Sequence, residues 1–213
     1  MDTVIPVKFN STRLPKKNLI PFVQGMNLIE FKLSQLTRCD FVDNVFLSVD
    51  DMRVVDYVKT SYESVHFIQR PKELCYDLVP MNEIYQHLGE IAKSPDVLYT
   101  TVTTPMINEE VFHTAYINFK EKQGFSLHTV ELVKDFIVDE FFNCVNFNKI
   151  PFPRSQDLRT IYKMVYGFAM LPKSELMKGT SFPESTMPFV LDSKTALDID
   201  NKEEFEYAQF LLR

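Results

Sequence analysis

Two rhythms of apolar positions alternate along the chain. Brief, nearly continuous apolar runs, "TVIPV", "VFLSV", "VHFI" and "VLYTTV", have the length of strands buried on both faces. Between them stand "LIEFKLSQL", "RVVDYVKT", "PMNEIYQHLGEIAK" and "NEEVFHTAYINFKEK". In these, apolar residues recur at three and four, as at Met81, Ile84, Tyr85, Leu88, Ile91 and Ala92, which is the spacing of helices with one buried face. The β-α-β-α order predicts an α/β fold, a three-layer, Rossmann-like, mostly parallel sheet with right-handed crossovers.

Past "FSLHTVELV", from about Lys134, the rhythm breaks into the aromatic-rich "DFIVDEFFNCVNFNKIPFPRSQDL". Residues 134–158 are expected to leave the sheet as an arm of strands and loops, and an aromatic arm of this kind either seals a subunit interface or folds back on its parent. The chain returns as a strand at "MVYGFAML" and crosses a Pro/Ser-rich loop. It ends in "DIDNKEEFEYAQFLLR", where Asn201 and Glu204 have the spacing of a capping box at the start of a last helix. The 213 residues, 45% of them hydrophobic, fit a single domain, 1–213, with the arm inside it.

The formal net charge of -6 argues against a nucleic-acid binder. No apolar run is long enough to span a bilayer, and the start lacks a secretory pattern, so a cytoplasmic protein without membrane partners is expected. Cys39, Cys75 and Cys144 form no metal or disulfide spacing, and His66, His87, His113 and His128 are scattered. Buried free thiols and unliganded histidines follow.

Against that acidic background, "KFNSTRLPKKN" places Lys8, Arg13, Lys16 and Lys17 within eleven residues of the first predicted strand. In a parallel sheet this is the loop beyond a strand's carboxyl end, where phosphates are held. The glycine fingerprints for that task are absent, since Gly25, Gly89, Gly124, Gly167 and Gly179 stand apart. Anions would instead meet side-chain charge, with Asn10, Ser11, Thr12 and Asn18 as uncharged donors. Taken alone, such a cluster reads better as a solvated charge run.

The order of further segments resolves that choice. "IPVKFNSTRLPKKNL" resembles the loop I-P-A-R-x-x-S-K-R-x-x-x-K-N of the acylneuraminate (CMP-sialic acid synthetase) family of sugar-acid cytidylyltransferases. "NVFLSVDD", "QRPKELCYD", "TTVTTPM", "RSQDL", "YGFAML" and "ALDIDNKEEFEYAQFLL" resemble its later motifs in sequence order, from Ile5 to Leu212. The resemblance implies a GT-A-like nucleotidyltransferase fold. It also implies a Mg²⁺-dependent condensation of CTP with a sugar acid, commonly a nonulosonic acid, giving a CMP-sugar and pyrophosphate, by a homodimer.

Carried over by matching position, Lys8, Arg13 and Lys17 are the catalytic cations. Asn10, Ser11, Asn18, Arg70 and Asp77 belong to the nucleotide side, with Arg70 near the cytosine. Thr101, Thr103, Thr104, Arg154 and Gln156 belong to the sugar-acid side, and Asp198 and Asp200 to the metal. Alternate residues of an extended segment project to one side, which suits the two aspartates for one hard cation. The sequence departs from the family pattern at Lys8 and Thr12, with Lys16 adding a cation next door. It departs again at Thr101, Val102 and Ile107, and at Tyr166, which has an extra residue before it. Most of these lie on the sugar side, which leaves the acceptor open. The alternatives are a Kdo or non-sugar acid acceptor, another nucleotide, or a non-catalytic nucleotide- or sugar-binding protein.

Overall fold

The computed structural model describes residues 1–59 and 63–213. Seven strands form one sheet: β1 (Asp2–Val7), β2 (Val45–Val49), β3 (Val65–Gln69), β4 (Asp96–Thr100), β5 (Ser126–Val133), β6 (Ile161–Pro172) and β7 (Thr186–Leu191). Their spatial order is β3-β2-β1-β4-β6-β5-β7. The helices are α1 (Leu28–Leu36), α2 (Met81–Ile91), α3 (Glu109–Glu121), α4 (Lys173–Met177) and α5 (Lys202–Leu211). The segment "RVVDYVKT" forms a 3₁₀ turn over Met52–Tyr57, and its last residue, Thr60, lies outside the described residues.

Each face of the sheet is covered. On one, Ile5, Leu47, Leu98 and Phe168 pack with Leu28, Leu33, Phe112 and Phe205 of the helices. On the other, Val4, Phe46 and Leu171 pack with Ile84, Leu88 and Leu176. This is the expected three-layer arrangement. Among the described residues no helix is long and apolar enough to cross a membrane.

Strand β6 runs antiparallel to both its neighbours, β4 and β5. The cause is the arm. β5 leaves the sheet at its carboxyl edge, residues 134–160 stay on that side, and the returning strand can only run the other way. The Pro/Ser-rich stretch after it was expected as a loop, yet it holds α4 and the edge strand β7, parallel to β5. Five-residue α4 and Pro-containing β7 are too short and irregular in pattern to announce themselves.

The extra residue before Gly167 has a structural counterpart. His128 pairs with Ala169 and Val130 with Met164, so β6 bulges over Val165–Phe168. The bulge is stitched by the Thr129 hydroxyl, whose oxygen lies 2.7 and 3.0 Å from the Val165 and Phe168 carbonyls, sharing its one proton between them, and accepts the Phe168 amide at 3.1 Å. A Cβ on Gly167 would fall 2.4 Å from Cδ1 of Ile107, so a larger residue here would have to displace the Ile107 side chain where the bulge meets the loop after β4.

Candidate active site

The strand order reverses between β1 and β4, since β2 and β3 lie on one side of β1 and β4 on the other. Ligand crevices form at such a switch point. The loops that follow β1 and β4 meet there, and the segment leading into α5 crosses them.

The loop after β1 is pinned by its backbone. The Phe9 amide donates to Oδ1 of Asp50 at 2.7 Å, a contact that "NVFLSVDD" offered without a role being assigned to it. Asn18 is buried and donates from Nδ2 to the Lys8 carbonyl at 3.0 Å, while Asn10 Oδ1 accepts the Lys16 amide at 3.2 Å. Lys8, Asn10, Ser11, Arg13, Lys17, Asp77 and Asp200 then line one cavity of about 190 Å³, together with Thr12. Lys8 pairs with Asp77 at 2.7 Å, which holds that carboxyl below the usual range.

The two ends of the chain converge on this cavity. Arg13 Nη2 lies 2.7 Å from Asp200 Oδ1. Lys17, 7% exposed, donates from Nζ to the carbonyl of Ile199 and stands 3.5 Å from the same Asp200 oxygen. Asp200 is set by the predicted capping box of α5: Asn201 Oδ1 accepts the Glu204 amide at 2.9 Å, and Glu204 Oε2 accepts the amides of Asp200 and Asn201 at 2.6 and 3.1 Å.

Asp198 lies deeper. Burial pushes its carboxyl above the usual range, the Thr103 hydroxyl offsets part of this, and the nearby Asp200 charge adds to the rise. Its Oδ1 is buried with no hydrogen-bond partner, which is how a carboxylate oxygen suited to a cation ligand would stand. Asp198 and Asp200 also line a second cavity of about 440 Å³, with Tyr166, Glu131, Lys163 and Ser193 among its walls. Asp200 is thus the shared wall between the two cavities.

The threonines stand behind Asp198. Thr103 Oγ1 donates to Thr101 Oγ1 at 3.3 Å, Thr101 Oγ1 to the Tyr166 carbonyl at 2.9 Å, and the Thr103 carbonyl accepts the Ile199 amide at 2.8 Å. Thr104 is fully buried, its hydroxyl 3.5 Å from that of Thr101.

Four residues stand away from the two cavities. Arg70, only 2% exposed, donates from Nε to Ser48 Oγ at 3.1 Å and from Nη2 to the carbonyls of Val7 and Ser48 at 3.2 and 2.7 Å. It braces the carboxyl ends of β1 and β2 from inside and lines neither cavity. Lys16 does not replace the cation missing at Thr12. With φ at 54°, it turns its ammonium over the rings of Phe9 and Tyr57, at 5.5 and 5.3 Å. Arg154 and Gln156 are not brought to the crevice within one chain: Arg154 is exposed and paired with Asp157 at 2.7 Å, and Gln156 lines a separate cavity with Leu132 and Val133.

One buried cation was missed. Lys32 reads in sequence as the polar side of α1, yet it is 0% exposed and burial pushes its ammonium down to about 7. The unfolded chain keeps that proton to near the ordinary lysine value, so between about pH 7 and pH 10 the unfolded state binds more protons. Stability therefore climbs with pH, by up to about 1.4 kcal/mol per unit. Burial raises the Cys39 thiol to about 11, an opposing trend that starts only near pH 9. Chemical denaturation at pH 7 and pH 9 is expected to show a rise in the wild type that Lys32→Met lacks; equal slopes in the two proteins would contradict it.

A mostly parallel sheet in this order, with a lysine- and arginine-bearing loop at the switch point and two aspartates across from it, matches the fold of known nucleotidyltransferases. The chain belongs to the cytidylyltransferase family, whose model matches residues 3–162. It is 27% identical over 222 residues to two pseudaminic acid cytidylyltransferases of Campylobacter jejuni, covering 99% of this chain and 95% of each relative. Its fold is that of a CMP:2-keto-3-deoxy-manno-octonic acid synthetase solved with CTP, at a TM-score of 0.72 and 17% identity, over 99% of this chain and 97% of that one. It is likewise that of a 4-diphosphocytidyl-2C-methyl-D-erythritol synthase from Anaerococcus prevotii, at 0.68 and 15%, over 100% and 96%.

Proposed function

We propose that the chain condenses CTP with a nonulosonic-type sugar acid, giving a CMP-sugar and pyrophosphate, with Mg²⁺ held by Asp198 and Asp200. The observation that carries the proposal is the position of Asp200 between a cation-lined cavity and a second, roomier one. Nucleotidyl transfer needs such adjacency: an acceptor hydroxyl oxygen bonds to the α-phosphorus and gives up its proton to solvent, while the bond from that phosphorus to the pyrophosphate oxygen breaks and pyrophosphate leaves. Lys8, Arg13 and Lys17 would neutralise the phosphate charge that builds on the way.

The residues fit a hard cation. Asp198 offers a buried, unpartnered oxygen, and Asp200 adds a second carboxylate two residues on. That suits an ion which completes its shell with water and phosphate oxygens. When bound, it would supply Lewis-acid polarisation of the phosphate.

The likeness to pseudaminic acid cytidylyltransferases favours an acceptor of that kind. The test is pyrophosphate release from each of the four ribonucleoside triphosphates with Mg²⁺, against pseudaminic acid, N-acetylneuraminic acid, Kdo and a non-sugar acid. Turnover with CTP and a nonulosonic acid is expected. Turnover with Kdo alone, with another triphosphate in preference, or with none would each reject the proposal as stated.

We further propose a homodimer formed through residues 134–158. In the arm Phe136, Phe147 and Phe152 pack on one another, with centroids 5.0–5.4 Å apart, while Phe141, Phe142 and Ile150, the last 91% exposed, face outward. An apolar face of this kind is typical of a subunit contact. Sedimentation is expected to give a dimer for the wild type and a monomer for Phe141→Glu combined with Ile150→Glu; a wild-type monomer, or an unchanged double-variant dimer, would rule it out.

A further inference from the structure

The loop between β4 and α3, residues 101–108, has two sides with different partners. Its outer side carries the Thr101 and Thr103 hydroxyls, and its backbone is tied to the aspartate segment by the Ile199 amide. Its inner side is gripped by α1. Lys32 Nζ donates to the carbonyls of Thr104 and Ile107 at 2.9 and 3.1 Å, and Gln35, one turn further along the same helix face, donates from Nε2 to the Pro105 carbonyl at 2.8 Å. Three carbonyls within four residues are thus fixed by two buried side chains at i and i+3.

Packing alone does not explain a lysine here. Lys32 is fully buried, its ammonium 5.0 Å from the centroid of the Phe112 ring, and among the described residues no carboxylate pairs with it. An ammonium taken out of water with no counter-charge is disfavoured relative to an apolar side chain of similar length, such as methionine. What the lysine adds is its hold on two buried carbonyls, of which that of Thr104 is otherwise met by the Ile107 amide at 3.3 Å. Those carbonyls belong to the loop that backs Asp198 through Thr103 and Ile199. The same loop carries Thr101, Val102 and Ile107, three of the positions at which the sequence departs from the acylneuraminate pattern.

We infer that Lys32 and Gln35 are positioning residues for the acceptor half of the site: they fix the inner carbonyls of the β4–α3 loop so that its outer hydroxyls and the aspartate segment keep their places. The inference rests on the reading of Thr101 and Thr103 as the sugar-acid side. It assigns α1 a part in acceptor binding although neither of its two side chains reaches the crevice.

Two measurements on Lys32→Met and Gln35→Met test it. In Lys32→Met the KM for the sugar acid is expected to rise about tenfold or more, with the KM for CTP within about twofold of wild type. Amide hydrogen exchange should quicken at residues 101–108 and stay unchanged in β1 and β2. Wild-type acceptor KM and exchange would overturn the inference, as would a parallel rise in both KM values with faster exchange throughout, which marks a general loosening. Should Lys32→Met fail to fold, Gln35→Met decides: a several-fold higher acceptor KM with faster exchange at 104–107 supports the clamp, and wild-type values reject it. Should the wild type turn over no acid at all, the function proposed above fails, and the clamp stands or falls on the exchange of residues 101–108.

Discussion

Asp200→Asn is expected to lower kcat by about a thousandfold, a loss on the scale of removing a charge-stabilising group from a transferase site, while the fold survives. Asparagine is nearly isosteric and the backbone of residue 200 is set by Glu204, so the fold should survive, with a modest drop in melting temperature from the lost charge pairing with Arg13 and Lys17. What the substitution removes is the charge. Asp200 is the anion that Arg13 and Lys17 face and, with Asp198, the carboxylate available to a cation. Steady-state kinetics with saturating CTP check the rate, and circular dichroism checks the fold. An Asp200→Asn protein that is active and still dependent on a divalent ion would take this residue out of the site.

Lys17→Met is expected to reduce kcat/KM for CTP by roughly 10²–10³. The argument differs from that for Asp200 because Lys17 is buried: its Nζ reaches the cavity from beneath, held by the Ile199 carbonyl. Methionine keeps the length and the packing but leaves that carbonyl without its donor, a cost of about 1–3 kcal/mol. A lower melting temperature should therefore accompany the lost activity. Lys16→Met is the informative control. Its ammonium sits on Phe9 and Tyr57, so its loss should cost no more than a few-fold in kcat/KM; comparable losses in the two variants would contradict the distinction drawn between neighbouring lysines.

Much of this architecture is legible in the residues. The apolar runs of β1 and β2 and the periodicity of α1, α2 and α3 mark their own elements, because burial on two faces or one leaves a different period. Asn201 and Glu204 foretell the start of α5, since a capping box is a local device that tertiary packing does not need to complete. The antiparallel course of β6 follows from where the arm returns, a non-local fact with no residue of its own.

The candidate site divides in the same way. Lys8, Arg13, Lys17, Asp198 and Asp200 share one neighbourhood because motif order brought both chain ends into view together. Arg70 and Lys16 could not be sorted by type or position. Whether an arginine faces a ligand or turns into the sheet depends on which carbonyls are near, here Val7 and Ser48, and a lysine with aromatic neighbours 7 and 41 residues away gives no local sign of its direction. Lys32 was hidden for the opposite reason. A lysine in a helix reads as solvent-facing until the loop carbonyls above it are placed.

In the function proposed above, the amino-terminal cations and the carboxy-terminal aspartates grip one metal-bound nucleoside triphosphate from opposite sides. A crystal structure with CTP and Mn²⁺, located by its anomalous signal, tests it most directly. One manganese peak is expected within coordinating reach of both Asp198 and Asp200, with the triphosphate lying against Lys8, Arg13 and Lys17. Manganese away from these carboxylates, or a triphosphate seated on another face of the molecule, would contradict it.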